Sequence, residues 1–235
     1  RALLVAAAIA AAFFAGARAG STEIKTAIGG APSADAAAIL DYHAFSSHTR
    51  ASVVMRAPSV AWGDDVPPYL DRSRLPATPL PRPDLARRAG PVATVDDLSL
   101  LLWAAAGITE RRGGLELRAA ASSGALFPTE VYAIVRSVEG VAPGVYAYDP
   151  PAHALARVRE DAPAMASLGA ADAGEPPVTL VFTCVFRRSG QKYRDRAYRY
   201  AVADTGHAIG NVLEAAAALD IGARLLHRFD DASVA

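Results

Sequence analysis

From Arg194 onward, apolar residues recur at close to the helical period, at Ala197, Ala201, Val202, Ala208, Ile209, Val212, Leu213, Ala216 and Leu219. The spacing predicts one long amphipathic helix, stopped at Asp220-Ile221-Gly222, where glycine can take the left-handed cap conformation. Gly206 and Gly210, one turn apart, leave a bare patch that a second helix or a flat ring can approach. Lys192-Tyr193, two groups able to exchange protons, stand at its start. A second helical pattern runs through Leu98, Leu101, Leu102 and Ala105, with Asp96-Asp97 as its cap and Gly107 as its end.

Between these helices the pattern changes to that of strands. Residues 131–135 and 144–148 read as strands, with Asp149-Pro150 as a turn and 153–158 as a hairpin partner. The continuous apolar run 178–186 predicts the most buried strand, and a terminal strand is expected to begin near Ala223. Residues 162–168 predict a short helix, 111–114 a turn, and 121–128 a loop of small residues. The alternation of helices and hairpins defines an α+β fold with a mixed or antiparallel sheet.

The N-terminal third is different in kind. Residues 3–17 form an apolar run after Arg1, closed by Ala17-Arg18-Ala19. This resembles a secretory signal peptide, with an Ala-rich packing helix as the alternative. Residues 1–20 therefore stand apart from the fold argument. Residues 21–94 read as a linker, punctuated at Gly29-Gly30-Ala31-Pro32-Ser33, and an extended arm. Pro67, Pro68, Pro76, Pro79, Pro81 and Pro83 forbid helix there and favour an extended, surface-hugging path. The globular pattern occupies residues 95–235.

Composition narrows the function. At 235 residues, 52% hydrophobic and with a formal net charge of zero, the chain can build one sizeable core but shows no polyanion-binding balance, so nucleic acid is not an expected partner. The single cysteine, Cys184, lies inside an apolar run and reads as a small core residue. The five histidines show no metal-ligand spacing, and the phosphate-binding, dinucleotide-binding and Gly-x-Ser-x-Gly motifs are absent.

Several stretches together resemble the nitroreductase-like flavoproteins, and within them the SagB-type azoline dehydrogenase branch. The resemblance rests on residues 100–109 (LLLWAAAGIT around Trp103 and Gly107), 118–130 (RAAASSGALFPTE), 144–149 (GVYAYD), Lys192-Tyr193 through Ala197-Tyr198-Arg199, Gly206-His207, and Asn211. The arm from Tyr42-His43 through Trp62 to the prolines is similar to the extension that precedes the domain in that branch.

The resemblance implies a sheet wrapped by helices, a homodimer with the long helix at its centre, and FMN at the subunit interface. It implies oxidation of thiazoline or oxazoline rings of a ribosomal peptide, with Lys192 and Tyr193 in the proton step. A modified peptide or small molecule would be the substrate and a cyclodehydratase complex a partner. Ser122, Ser123, Gly124, Ala125 and Leu126 become candidate cofactor contacts, since hydroxyls and close backbone approach suit a flavin edge.

The family's Arg-x-Ser-x-Arg stretch is reduced here to Arg87-Arg88, which remain candidates for the phosphate. The resemblance also implies a further strand after Ala235. Cytoplasmic location follows from it, with export or anchoring following instead if residues 1–20 are a signal segment. The residues alone leave open an ordinary tight loop at 122–128 and a solvated basic rim at Lys192-Tyr193. They also leave open an NAD(P)H-dependent nitro or quinone reductase on the same fold, and a non-catalytic domain that binds a peptide or partner.

Overall fold

The computed structural model describes residues 34–49, 66–87, 90, 93–226 and 228–234. The signal-like segment 1–20, Trp62 and Arg88 lie outside the described residues. Helix α1 (Ala34–Ser46) belongs to a separate compact unit before residue 60. It falls within the stretch expected to be linker and arm. Its last turn is closed by hydroxyls, Ser46 donating to the Tyr42 carbonyl at 2.7 Å and Ser47 to that of His43 at 2.6 Å.

The second unit is built on a five-stranded sheet with the order β1-β6-β5-β4-β7: β1 (Ala77–Pro79), β4 (Thr129–Val135), β5 (Gly144–Asp149), β6 (Ala154–Arg159) and β7 (Val178–Cys184). All four pairings are antiparallel. A separate hairpin joins β2 (Ile108–Arg112) to β3 (Leu115–Arg118) through Gly113 and Gly114, both at positive φ, where sequence alone suggested only a turn. Around the sheet lie α2 (Val95–Ala106), α3 (Phe186–Tyr193), α4 (Ala197–Ala218) and the short α5 (Asp231–Val234).

The core forms because strand side chains alternate between faces. Val131, Ala133 and Val135 of β4, with Tyr146, Tyr148 and Leu155, pack against Leu98, Leu102, Ala105 and Ala106 of α2. Ile134 points to the opposite face, onto Met165, Leu168 and Ala170. A further cluster, Leu100 and Leu101 with Ala216 and Leu219, joins α2 to α4. Asn211 of α4 donates 3.1 Å hydrogen bonds to the Ala104 and Ala119 carbonyls, fixing its height against α2.

Several expectations change in the structure. The most buried strand is β4, not the 178–186 run; β7 is a sheet edge and half-buried along most of its length. Apolar content could not separate a central strand from an edge strand that a helix covers. The cap of α2 is Thr94, and Asp97 closes a capping box with it. The long helix does not start at Arg194: α3 ends at Tyr193, Arg194 has φ +46, and α4 begins at Ala197 after a single 3-10 turn. Val202 and Leu213 lie on the exposed face of α4 although their spacing predicted burial. The stretch after Ala223 forms no strand among the described residues.

The proline-rich arm is held by side chains as well as by β1. Ser99 donates to the Pro81 carbonyl at 2.6 Å, and the Nε2 of His153 lies 2.9 Å from Ser99 Oγ and 3.0 Å from the same carbonyl. Tyr148 Oη lies 2.8 Å from His153 Nδ1. Burial raises the Tyr148 pKa, so its hydroxyl stays protonated and donates, and His153 carries its proton on Nε2. Burial lowers the His153 pKa, only partly offset by the Pro81 carbonyl.

The unfolded chain therefore binds the proton more readily, and this group's contribution to stability rises with pH. It is complete above about pH 6.5, the ordinary histidine value, and is lost as the pH falls toward the lowered folded-state pKa. Urea unfolding between pH 5 and 8 should show this loss in the wild type, and His153→Gln should flatten that part of the slope. An unchanged slope would show that His153 does not titrate with unfolding.

Candidate active site

The loop between β3 and β4 is fastened to α4 by one carboxylate. Asp204 sits on the buried stripe of α4 with Ala197, Ala201 and Ala208. Ser122 Oγ donates to it at 2.6 Å, the Ser123 amide at 3.1 Å and Ser123 Oγ at 3.2 Å. Ser122 Oγ also accepts from the Phe127 amide at 2.9 Å, which folds the loop back on itself. Within it Gly124, Ala125 and Phe127 adopt φ values of +66, +55 and +45. Glycine takes this conformation readily, but Ala and Phe are strained there and stay only because the surroundings hold them.

Lys192 and Tyr193 approach this loop from the C-terminal end of α3. A Cβ built on Gly124 would lie 2.6 Å from the Tyr193 hydroxyl and 2.8 Å from Lys192 Nζ. Both polar ends therefore reach the loop at its one residue without a side chain. The Tyr193 ring is braced edge-on by Tyr200 at a centroid distance of 4.5 Å, and Arg196 donates to the Tyr200 hydroxyl at 3.2 Å. Lys192 Nζ lies 5.4 Å from the Tyr193 ring centre.

One turn before Lys192, Arg188 is buried and pairs with Glu130 of β4 at 2.6 Å. The contact is an ion pair rather than an aligned hydrogen bond, since Glu130 Oε1 has no hydrogen-bond partner. Glu130 also pairs with the buried Arg72 from the arm. Arg188 donates at 3.0 Å to both the Pro67 and the Phe127 carbonyls. These contacts join the arm, the central strand, the strained loop and the helix that carries Lys192.

On the side of Ala125–Phe127 opens a cavity of about 480 Å³, bounded by Tyr69, the β2–β3 hairpin and Arg118. The Arg118 guanidinium stands 4.9 Å from the Tyr69 ring centre and 4.6 Å from that of Phe127. Glu116, at the rim, accepts from the Tyr69 hydroxyl and from Arg111. Burial lowers the Arg118 pKa, with Tyr69 and Glu130 acting in the opposite sense.

Of the residues singled out from sequence, Ser122, Ser123, Gly124, Ala125, Leu126, Lys192 and Tyr193 converge through these contacts. The hydroxyls of Ser122 and Ser123 turn to Asp204, and the Ala125 amide donates to the Ser122 carbonyl at 3.1 Å, which leaves the Gly124 and Leu126 amides as the donors of the loop. Arg87 is engaged at the N-terminus of α2, 2.7 Å from Asp97 and 2.8 Å from Thr94.

Sequence reasoning missed Asp204, Glu130, Arg72, Arg188 and Arg118. Two of them carried a signal: Asp204 is an acid on an otherwise apolar helix stripe, and Glu130 an acid inside an apolar strand. Nothing in the sequence distinguished the arginines from surface ones.

With the sheet order and the site in hand, the fold is that of the nitroreductases. The chain belongs to the nitroreductase family, a family of oxidoreductases, whose profile matches residues 91–235. It is 34% identical over 142 residues to a Methanocaldococcus jannaschii protein designated a nitroreductase, covering 59% of this chain and 70% of that one. It is similar to the crystal structure of an Anabaena variabilis protein of the same designation, with a TM-score of 0.64 and 29% identity over 83% of this chain. The chain spans only 41% of that protein. A weaker likeness, with a TM-score of 0.44 and 20% identity, is to the Escherichia coli microcin synthetase McbBCD complex; at that level it speaks to neither substrate nor partner.

Two substitutions probe this architecture. Glu130→Ala strands Arg72 and Arg188 as buried charges and should cost about 3–5 kcal/mol in denaturant unfolding, with Glu130→Gln losing less. A cost below about 1 kcal/mol would mean that water reaches both arginines. Gly124→Ala should cost about 1 kcal/mol through its positive φ. It should also push the ends of Lys192 and Tyr193 aside while circular dichroism stays unchanged. Full stability in that variant would contradict the described loop.

Proposed function

We propose that this chain is an FMN-dependent oxidoreductase that dehydrogenates a thiazoline or oxazoline ring of a ribosomal peptide to the azole. The observation that carries this reading is the meeting of Lys192 Nζ and the Tyr193 hydroxyl with the strained loop at Gly124. The donor set fits a flavin: the Lys192 amine, the Tyr193 phenol and the Gly124 and Leu126 backbone N–H groups can donate to the carbonyl-rich edge of an isoalloxazine, while the Ala125 amide is spent on the Ser122 carbonyl at 3.1 Å. The flavin phosphate would fall to Arg88, or to Arg87 after it releases Asp97.

Aromatisation removes one hydride and one proton from the ring, and a bound flavin supplies the hydride acceptor. The proton is the task of the protein. Lys192 serves as base only in its neutral form. Tyr193, whose hydroxyl reaches Gly124 beside Lys192 Nζ, hands the proton on toward solvent. Arg188, fixed by Glu130, holds the helix that carries both.

The α4 face bearing Tyr198, Val202, Gly206 and Leu213, with Phe186 stacked on Tyr198, supports a homodimer packed through this helix. A cyclodehydratase that installs the azoline is the partner this activity requires. A second reading, NAD(P)H-dependent reduction of nitro compounds or quinones, is favoured by the designation of the Methanocaldococcus jannaschii relative.

The full protein should purify with noncovalent FMN. Lys192→Ala should keep both fold and flavin while single-turnover flavin reduction by an azoline peptide, followed anaerobically, falls by about a hundred- to ten-thousand-fold. Tyr193→Phe, which removes only the hydroxyl, tests proton transfer apart from packing. Near wild-type rates in both variants would remove the proton-transfer assignment. Reduction by NADPH with no response to azolines selects the second reading. Absence of flavin bands after reconstitution with excess FMN rejects both in favour of a non-catalytic binding domain.

A further inference from the structure

We propose that the cavity between the arm, the β2–β3 hairpin and residues 125–127 is a recognition site for an organic carboxylate, with Arg118 as its anchor. Its lining is unbalanced in charge: Arg111, Arg112 and Arg118 face one carboxylate, Glu116, which is already engaged by Tyr69 and Arg111. Arg112 is paired outward with Glu110 at 2.7 Å. Arg118 is different. It is only 9% exposed, its Nε has no hydrogen-bond partner, and among the described residues no carboxylate lies within ion-pair distance of it. The nearby Glu130 is committed to Arg72 and Arg188.

A guanidinium removed from water without a counter-ion is costly, and native structures seldom leave one so. Here the cost is offset only in part, by the faces of Tyr69 and Phe127, by the Tyr69 hydroxyl and by the more distant Glu130 carboxylate. The Nε is sealed from solvent, so a carboxylate entering the cavity would meet the two terminal nitrogens of the guanidinium, a fork that such a group accepts in bidentate fashion. The flat rings beside the guanidinium suit a planar, conjugated acid, and the cavity of about 480 Å³ holds a small molecule or one acidic residue of a peptide. Ala125–Phe127 form its wall, while the neighbouring Gly124 meets Lys192 and Tyr193. The carboxylate is therefore gripped next to the candidate proton-transfer pair. Carboxylate binding is independent of whether that pair is catalytic.

The probe is benzoate, titrated calorimetrically into the full protein as purified, against benzamide, its uncharged isostere. Benzoate should bind about tenfold or more tightly than benzamide, the range of a charged hydrogen-bonded pair. Arg118→Met should abolish that preference, and Arg118→Lys, which keeps the charge but not the fork, should retain only part of it. If Arg118→Met fails to fold, Arg111→Met with Arg112→Met gives the second measurement. That pair should lower benzoate affinity and flatten its salt dependence while benzamide binding is unchanged.

Equal affinities for benzoate and benzamide overturn the proposal, as does a preference that survives Arg118→Met. A third arm compares FMN with riboflavin. If Arg118→Met weakens FMN but not riboflavin, the anion held there is the flavin phosphate, and the carboxylate assignment falls. If flavin fails to bind while the benzoate preference holds, the carboxylate site stands without the flavoprotein reading.

Discussion

Glu130 is the point on which the rest of the structure depends. It stands in the most buried strand of the sheet and holds two buried arginines, one from the arm and one from α3. A lone carboxylate or guanidinium at that depth would be unstable, and each of these groups is tolerable only because the others are present. The pairing also sets positions. Arg188 can reach Glu130, the Phe127 carbonyl and the Pro67 carbonyl together only if arm, loop and helix take one arrangement. Hydrophobic burial would permit several arrangements, whereas a buried ionic cluster admits few.

The candidate chemistry is assembled from the same contacts. Asp204 pulls the Ser122–Ser123 turn onto α4, which leaves Gly124 at positive φ facing the end of α3. The break at Arg194 lets α3 and α4 follow one another without being collinear, so that Lys192 and Tyr193 end a helix rather than begin one. The Arg118 guanidinium, whose Nε has no hydrogen-bond partner, lies over the ring of the strained Phe127. The unmet donor and the strain are both conditions that a folded chain keeps only where the surroundings enforce them or a ligand relieves them.

Periodicity was informative where burial and local geometry agree. The helix through Leu98 and Leu102 and the strands at 131–135 and 144–148 follow from residue spacing. The small-residue loop was legible as a run of small residues and Lys192-Tyr193 as part of a resemblance, and the structure brings the ends of Lys192 and Tyr193 to Gly124. Periodicity failed where a neighbour decides the outcome. Val202 and Leu213 have the spacing of core residues but face outward, because the stripe that packs is centred on Ala201, Asp204 and Ala208. The 178–184 strand is apolar because helices cover it, although it sits at a sheet edge.

What the sequence determined by itself was the α+β class, the helix through Leu98 and Leu102, the strands of the main hairpin and the family-like motifs, because helix and strand periods act over a few residues. Only the tertiary structure decided which charges are buried. Arg72, Arg118 and Arg188 are indistinguishable from surface arginines until the chain closes around Glu130, since pairing and desolvation depend on groups up to 121 positions apart. The same closure turned Ser122 and Ser123 away from a ligand and toward Asp204, more than 80 positions on. The local sequence made the loop; the distant carboxylate fixed which of its atoms remain available.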